Sequence, residues 1–203
     1  MRKVVLIDDV ITDTKIIEQY TDMIWEIDEN LQVIKCNRET FKNISFETHA
    51  DICAKIIKKY CKDVRFVNIV VKEPFINGHI KKFIKALDFA SQLDADVIHM
   101  SIGTNSYLHA FKIYKSIKRL ASKVKIVAAK SNSNKRTFPA DFKIVSGCRA
   151  GNNKEIEKTG ENNYALLSTH LLRAKDNTLF YTDYCNSYAA AYYTALYCCE
   201  NSE

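Results

Sequence analysis

At 203 residues, with 47% hydrophobic and 27% charged residues and a formal charge of +6, the chain has the make-up of one globular domain with a substantial core. No apolar run approaches the roughly 18 residues that a membrane span needs. The lysines are scattered through runs such as KIIKKYCK and HIKKFIKAL, as solvated helix faces are, and do not form the basic stripe of a nucleic-acid footprint. Neither membrane nor nucleic acid is expected as a partner.

The N-terminal segment MRKVVLIDDV meets an acidic pair after four apolar residues, too early for a signal peptide, so a cytoplasmic protein is expected. Seven cysteines in such a chain read as reduced thiols, since an odd number cannot pair fully. No CxxC or HxxxH spacing occurs, and the adjacent Cys198 and Cys199 alone do not make a metal site; no metal or cofactor is expected.

In chain order, KVVLI (3–7) reads as a first strand. Residues 12–46 are mixed, with MIWEIDENLQVIKCN reading as a hairpin or irregular excursion instead of a crossover helix. Ile52, Ile56 and Tyr60 share a helical spacing, followed by a strand VRFVNIVV (64–71) and a helix carrying Ile80, Phe83, Ile84 and Leu87. Then come a strand DVIHM (96–100), a helix on Leu108, Phe111 and Lys115, and strands VKIVAA (124–129) and FKIVSG (142–147). Residues 165–184 read as a hairpin around the turn pair Asp176-Asn177, and Ser187 opens a last helix as a capping residue.

This alternation predicts an α/β domain spanning residues 1–203, a mostly parallel central sheet with helices on both faces. With only 5 glycines, no GxGxxG or GxxxxGK loop is present, which disfavours a phosphate cradle. Chemistry in an open parallel sheet gathers beyond the carboxyl ends of the strands. That rule selects Asp8 and Asp9, Ser101 to Asn105 and Lys130 to Asn134, with His49 and Ser187 at helix starts.

Asp8, His49 and Ser187 are the parts of an activated serine nucleophile: a weak hydroxyl, an imidazole that takes its proton and a carboxylate that orients the imidazole. The local sequence carries a resemblance. VVLIDDVI (4–11) resembles the V-A-V-I-D segment of subtilisin-like serine peptidases, with Asp8 on the catalytic aspartate. THADICAKII (48–57) resembles their H-G-T-H-V-A-G segment, with His49 on the first histidine. ADVIHMSIG (95–103) is similar to A-D-V-I-N-M-S-L-G, the strand along which a substrate peptide lies, which implies substrate contacts at Met100, Ser101, Ile102 and Gly103. KIVAAKSNSN (125–134) with FPADFKIVSGC (138–148) looks like V-V-A-A-G-N and the later Y-P-A segment and puts Asn132 on the oxyanion asparagine, with Asn134 a rival. CNSYAAAYYTAL (185–196) resembles G-T-S-M-A-A-P, with Ser187 on the nucleophile.

The resemblance implies a subtilisin-like three-layer fold and a metal-independent serine endopeptidase processing a peptide or precursor protein, with no recognisable propeptide. The family's glycines are replaced at Val10, Ala50, Ser131 and Cys185, and its proline at Ala191; these losses suggest the alternative of an impaired, peptide-binding module. The short C-terminal segment suggests a core completed by a second copy or a partner protein. Cys185 as the nucleophile is a sharper reading, set aside because its position fits the family glycine. VVLIDD also opens phospho-receiver domains, but DVIHMSIG offers no acceptor aspartate at its carboxyl end.

Overall fold

The computed structural model describes residues 1–42, 44–71, 80–152 and 155–200. The chain opens with β1 (Arg2–Asp8), α1 (Thr14–Tyr20) and the strands β2 (Thr21–Ile27) and β3 (Val33–Lys35). Next come α2 (His49–Tyr60), β4 (Val64–Val70), α3 (Ile80–Ala90), β5 (Val97–Met100), α4 (Tyr107–Ala121) and β6 (Lys125–Ala129). The C-terminal part holds β7 (Ser146–Gly151), β8 (Glu157–Gly160), β9 (Asn163–Leu167), β10 (Leu171–Arg173), β11 (Leu179–Tyr181) and α5 (Asn186–Glu200).

Nine of these strands form one sheet in the order β3-β2-β4-β1-β5-β6-β7-β9-β8. The seven inner strands pair in parallel, and only β3 and β8 at the edges run antiparallel. Apolar residues on both sides of each inner strand make this possible. In β1, Val4 and Leu6 face one core with α2 and α5, while Val5 and Ile7 face the other with α3 and α4. All four are fully buried, each contributing roughly 1.5–3 kcal/mol of hydrophobic stabilisation.

The mostly parallel sheet covered on both faces is the expected architecture. Several details differ from the sequence reading. The segment 14–20 is a helix after all: Asp13 caps it by accepting from Ile16 N–H, and it carries the chain from β1 to β2, which lies parallel to β4. The hairpin within 23–37 is present as β2 and β3. The strand expected at 142–147 begins at Ser146, because Phe142 to Val145 close a turn through a Val145 N–H to Phe142 carbonyl bond. In α4 the buried face is Ala110, Ile113, Ile117 and Leu120, whereas Leu108 and Phe111 are exposed. The hairpin around Asp176-Asn177 is shorter than the expected 165–184: it pairs Leu171–Arg173 with Leu179–Tyr181, with Asn177 in the left-handed region at φ 70°, while Ala165 to Leu167 belong to β9, which runs parallel to β7 in the main sheet. The third helix starts at Ile80, and His79 of the quoted run lies outside the described residues.

The strand order sets the site. The chain leaves β1 towards β2 and β4 on one side and later returns to place β5 on the other, so the carboxyl end of β1 lies at the switch point of the sheet. Asp8 is the last residue of β1.

Candidate active site

Asp8 is buried, and its Oδ2 lies 2.9 Å from Nδ1 of His49. Both ends of that bond are anchored. The Asp9 N–H donates to Asp8 Oδ1 at 2.8 Å. His49 is the first residue of α2, where Thr48 and Asp51 form a reciprocal capping box. Asp9 completes that helix start by accepting from the N–H groups of His49 and Ala50 at 3.1 and 2.7 Å, a carboxylate placed where the helix dipole favours it.

Fully buried Asp51 also accepts from the Thr12 and Asp13 N–H groups, and Lys175 pairs with it at 3.1 Å. Asn68 on β4 accepts from Ile11 N–H and donates to the carbonyls of Leu6 and Asp9. These side chains hold the turn after β1 in which the family glycine is missing. The sequence reading selected Asp9 beside Asp8 as a strand-end acid without giving it a role and did not single out Asp51 or Asn68; a capping-box spacing at Thr48 and Asp51 was the signal available.

Burial pushes the Asp8 carboxyl up, but the charge and hydrogen bond of His49 outweigh it and hold the group below its ordinary value. Asp9 moves the other way, up to about 6, through burial and then the neighbouring Asp8 charge. The His49 imidazole is raised. An ionised Cys53 would contribute most to this and burial opposes it, with Asp8 next. Burial keeps the Cys53 thiol protonated, so Asp8 is the neighbour that acts at neutral pH. The Tyr188 ring stacks on the imidazole at 5.7 Å between centroids. Asp8, His49 and Cys53 bring three potential metal-ligand atoms within 4.8 Å of one another, a closeness that the Asp8–His49 hydrogen bond already explains.

The second half of the site is the start of α5. The helix begins at Asn186, so Ser187 lies inside its first turn and Cys185, not Ser187, precedes the helix, its carbonyl accepting from Tyr188 and Ala189. Asn186 ties this end to the sheet through Ala150 N–H and the Lys130 carbonyl. Asn132 reaches the same place: its Oδ1 accepts from Asn186 N–H at 2.9 Å and its Nδ2 donates to Cys185 Sγ at 3.5 Å. Asn134 sits in a left-handed turn at φ 56°.

Ser187 is buried, and among the described residues its hydroxyl makes no hydrogen bond to His49. The half-buried Cys185 thiol accepts from Asn132 Nδ2, its one hydrogen-bond partner among the described residues. Burial raises this thiol, but the nearby polar groups of His49, Ser187 and Asn132 draw it down to about 7.

Met100 is still inside the sheet, paired with Ile7 on one side and Ala128 on the other, while Ser101, Ile102 and Gly103 follow it as a half-buried stretch outside the regular strand. A side chain at Gly103 would meet Thr137 Cγ2 at 2.3 Å, so the glycine lets this stretch lie against the 137–138 segment that bridges to Thr104. His99, behind it, is fully buried between Thr194 and Ser101, and burial lowers its imidazole to about 4. It links β5 to α5 as a neutral ring. A groove of about 730 Å³ beside α1 and α2, lined by Tyr20, Lys58, Lys59 and Leu171 among others, includes none of the catalytic candidates.

No family model and no curated relative matches the sequence. Solved structures do. The prenylagaramide maturation protease PagA superposes with a TM-score of 0.68 at 14% identity, covering 96% of this chain and 73% of that one. The fold is subtilisin-like. The epidermin leader peptide processing serine protease EpiP of Staphylococcus aureus gives 0.65 at 14% identity, and this chain, 96% covered, spans 63% of it. A cold adapted subtilisin-like serine proteinase gives 0.63 at 15% identity over 98% of this chain and 76% of that one. Among the described residues no helix is long and apolar enough to cross a membrane.

Proposed function

We propose that the chain is a serine endopeptidase acting on a peptide or precursor protein through Asp8, His49 and Ser187. The observation that carries this reading is the 2.9 Å bond from a buried Asp8 carboxylate to His49 at the switch point of a subtilisin-like sheet, with Ser187 and Asn132 brought to the facing helix start. An extended substrate would lie along Ser101, Ile102 and Gly103, since Met100 is occupied on both sides. Ser187 would attack the scissile carbonyl while His49 takes its proton, with Asp8 fixing the tautomer through Nδ1. His49 would then return that proton to the leaving amine, and water would hydrolyse the acyl-enzyme by the same relay. Asn132 Nδ2 and the Ser187 N–H would receive the developing oxyanion. A hydrogen bond absent from the free site and formed only with substrate is compatible with this route.

A dedicated processing role is favoured over general digestion. PagA and EpiP are named for maturation and for leader peptide processing, and they support this reading by likeness of fold alone. Location in the cytoplasm, and a second copy or partner completing the core, belong to the same proposal. The missing Ser187–His49 bond favours a second reading, a module that binds peptides without cutting them. A fluorophosphonate probe separates the two: covalent labelling lost in Ser187→Ala supports the peptidase, and an unlabelled folded protein supports the binding module.

A further inference from the structure

The groove of about 730 Å³ between α1, α2 and β10 lies apart from the catalytic candidates, and cations dominate its walls. Seven of its lining residues are Lys or Arg and one, Asp13, is acidic. Three of these cations already hold carboxylates: Lys42 pairs with Glu18 and Glu39, Lys55 with Asp13 and Glu47, and Lys175 with Asp51. The other four, Lys15, Lys58, Lys59 and Arg173, form no ion pair among the described residues. Lys59 and Arg173 each give one donor to a backbone carbonyl, that of Leu171 at 2.9 Å and that of Asn177 at 2.8 Å. Lys15 reaches the Asn177 amide oxygen at 3.4 Å, and Lys58 donates to the Lys62 carbonyl with its ammonium 3.9 Å from the centre of the Tyr20 ring. An ammonium has three donors and a guanidinium five, so all four keep donors for an anion.

The edge of β10 is a second, independent feature of the same groove, which residues 171–175 line without a break. The Thr182 N–H bonds the His170 carbonyl and the Ala174 N–H bonds the Thr178 carbonyl, so positions 170, 172 and 174 are the ones that bond across the hairpin. The peptide groups of Leu171 and Arg173 therefore point away from β11, and Lys59 of α2 accordingly finds the Leu171 carbonyl on that side. Among the described residues β10 pairs with β11 alone. The Leu171 N–H and the Arg173 N–H and carbonyl thus form a strand edge facing a cationic groove, the kind of edge to which another extended segment adds.

We infer that this groove docks an extended acidic peptide, which adds to β10 as a third strand and sets its carboxylates against Lys15, Lys58, Lys59 and Arg173. Main-chain bonds to Leu171 and Arg173 fix its register, and the cations select its charge. Side chains on alternate positions of the peptide cover Tyr20 and the partly exposed Leu171. Because the groove is separate from Asp8 and His49, the occupant is a segment of the precursor remote from the scissile bond. That last assignment rests on the peptidase reading; the capture of an acidic peptide does not.

The test follows the fluorescence anisotropy of a labelled hexapeptide alternating Glu and Val, added to the full chain at low ionic strength, where screening is weak. It is expected to bind at least about ten-fold more tightly than a hexapeptide alternating Lys and Val, and than the acidic peptide N-methylated throughout, which keeps the charge and cannot pair as a strand. Equal binding of either comparison peptide overturns the proposal, as does a single-stranded oligonucleotide that binds more tightly than the acidic peptide. These comparisons use the unmutated chain and do not depend on how a variant folds. Lys15→Ala, Lys59→Ala and Arg173→Ala together are expected to weaken the acidic peptide at least about ten-fold, and Lys112→Ala with Lys115→Ala, exposed cations of α4, by less than about two-fold. Equal weakening by the two sets would reduce the effect to bulk charge and overturn the groove. Joined by a flexible linker to one end or the other of a peptide that the chain cleaves, the acidic segment is expected to lower KM about ten-fold in one of the two placements. An unchanged KM in both overturns its role in substrate recognition. A chain that cleaves no peptide fails the peptidase reading, and the anisotropy still decides the groove.

Discussion

The two helix starts that meet at the site are built differently. At the start of α2, Asp9, Thr48 and Asp51 satisfy the first N–H groups, Asp51 is fully buried with Lys175 on it, and Asn68 pins the preceding turn from β4. At the start of α5, Asn186 is tied to Ala150 and Lys130 of the sheet, while Asn132 is exposed and, among the described residues, bonds Asn186 N–H and, at 3.5 Å, the Cys185 sulfur. The carboxylate–imidazole half is over-determined by buried charges, and the nucleophile half is held, among the described residues, by the neutral amides of Asn132 and Asn186. Preorganisation is therefore concentrated where the base must be oriented, and adjustment is left where the substrate must enter.

Substitutions on the two sides should separate accordingly. The largest effect belongs to the nucleophile: Ser187→Ala is expected to lower kcat on a cleaved peptide by roughly 10⁴–10⁶ with little change in stability. A residual turnover within ten-fold of the unmutated chain would remove Ser187 from the mechanism.

The next pair exchanges stability for rate. Asp51→Ala strips the partners from Thr12, Asp13, Thr48 and the Lys175 ammonium, and is expected to cost about 3–5 kcal/mol in chemical denaturation. Asn132→Ala removes an exposed side chain and is expected to cost about 1 kcal/mol or less, while kcat falls roughly 10²–10³-fold. If both variants lose stability equally, the contrast between the two helix starts is wrong.

Asp9 gives a pH test of the over-determined side. Its carboxyl is raised to about 6 in the fold from an ordinary 3.8, so between those values the folded chain binds the proton that the unfolded chain has released. Stability contributed by this group is thus present at low pH and lost as pH rises through 6. Relative to Asp9→Asn, the unmutated chain should lose on the order of 2–3 kcal/mol between pH 4 and pH 7, read from denaturation midpoints. A flat difference across that window would mean that the helix N–H groups offset the burial of the charge.

The same contrast governs what the sequence made legible. Asp8, His49, Asn132 and Ser187 could be singled out because each lies at or just beyond a strand end or at a helix start within a segment of recognisable pattern; the structure joins Asp8 to His49 and Asn132 to the start of α5, and the Tyr188 ring next to Ser187 stacks on the imidazole. Asp51 and Asn68 were not legible as site residues, since their work depends on a fold that sets residues 39 and 57 apart in sequence against the turn after β1. Cys185 was legible as a candidate nucleophile, but its bond to Asn132 was not, because the position that matches a glycine gives no direction for a side chain. The helix at 14–20 escaped notice because it buries only Ile16 and Ile17, too few apolar residues to show a period.

The smallest predicted effect tests the one helix whose face the apolar spacing misassigned. Leu108, Phe111 and Lys115 recur at three and four, which is the period of a buried stripe, yet Phe111 is 81% exposed and Leu108 63%. The stripe that packs on α3 and the sheet is Ala110, Ile113, Ile117 and Leu120, offset around the same helix. Both stripes have helical periodicity, so spacing alone cannot choose between them. What chooses is β-branched and small residues fitting against α3, where Ile113 is fully buried. Ile113→Ala is accordingly expected to cost about 2–4 kcal/mol, and Phe111→Ala to change stability by no more than about 0.5 kcal/mol. A large loss from Phe111→Ala in dilute solution, growing with protein concentration, would mean that this exposed stripe is covered by a second copy of the chain.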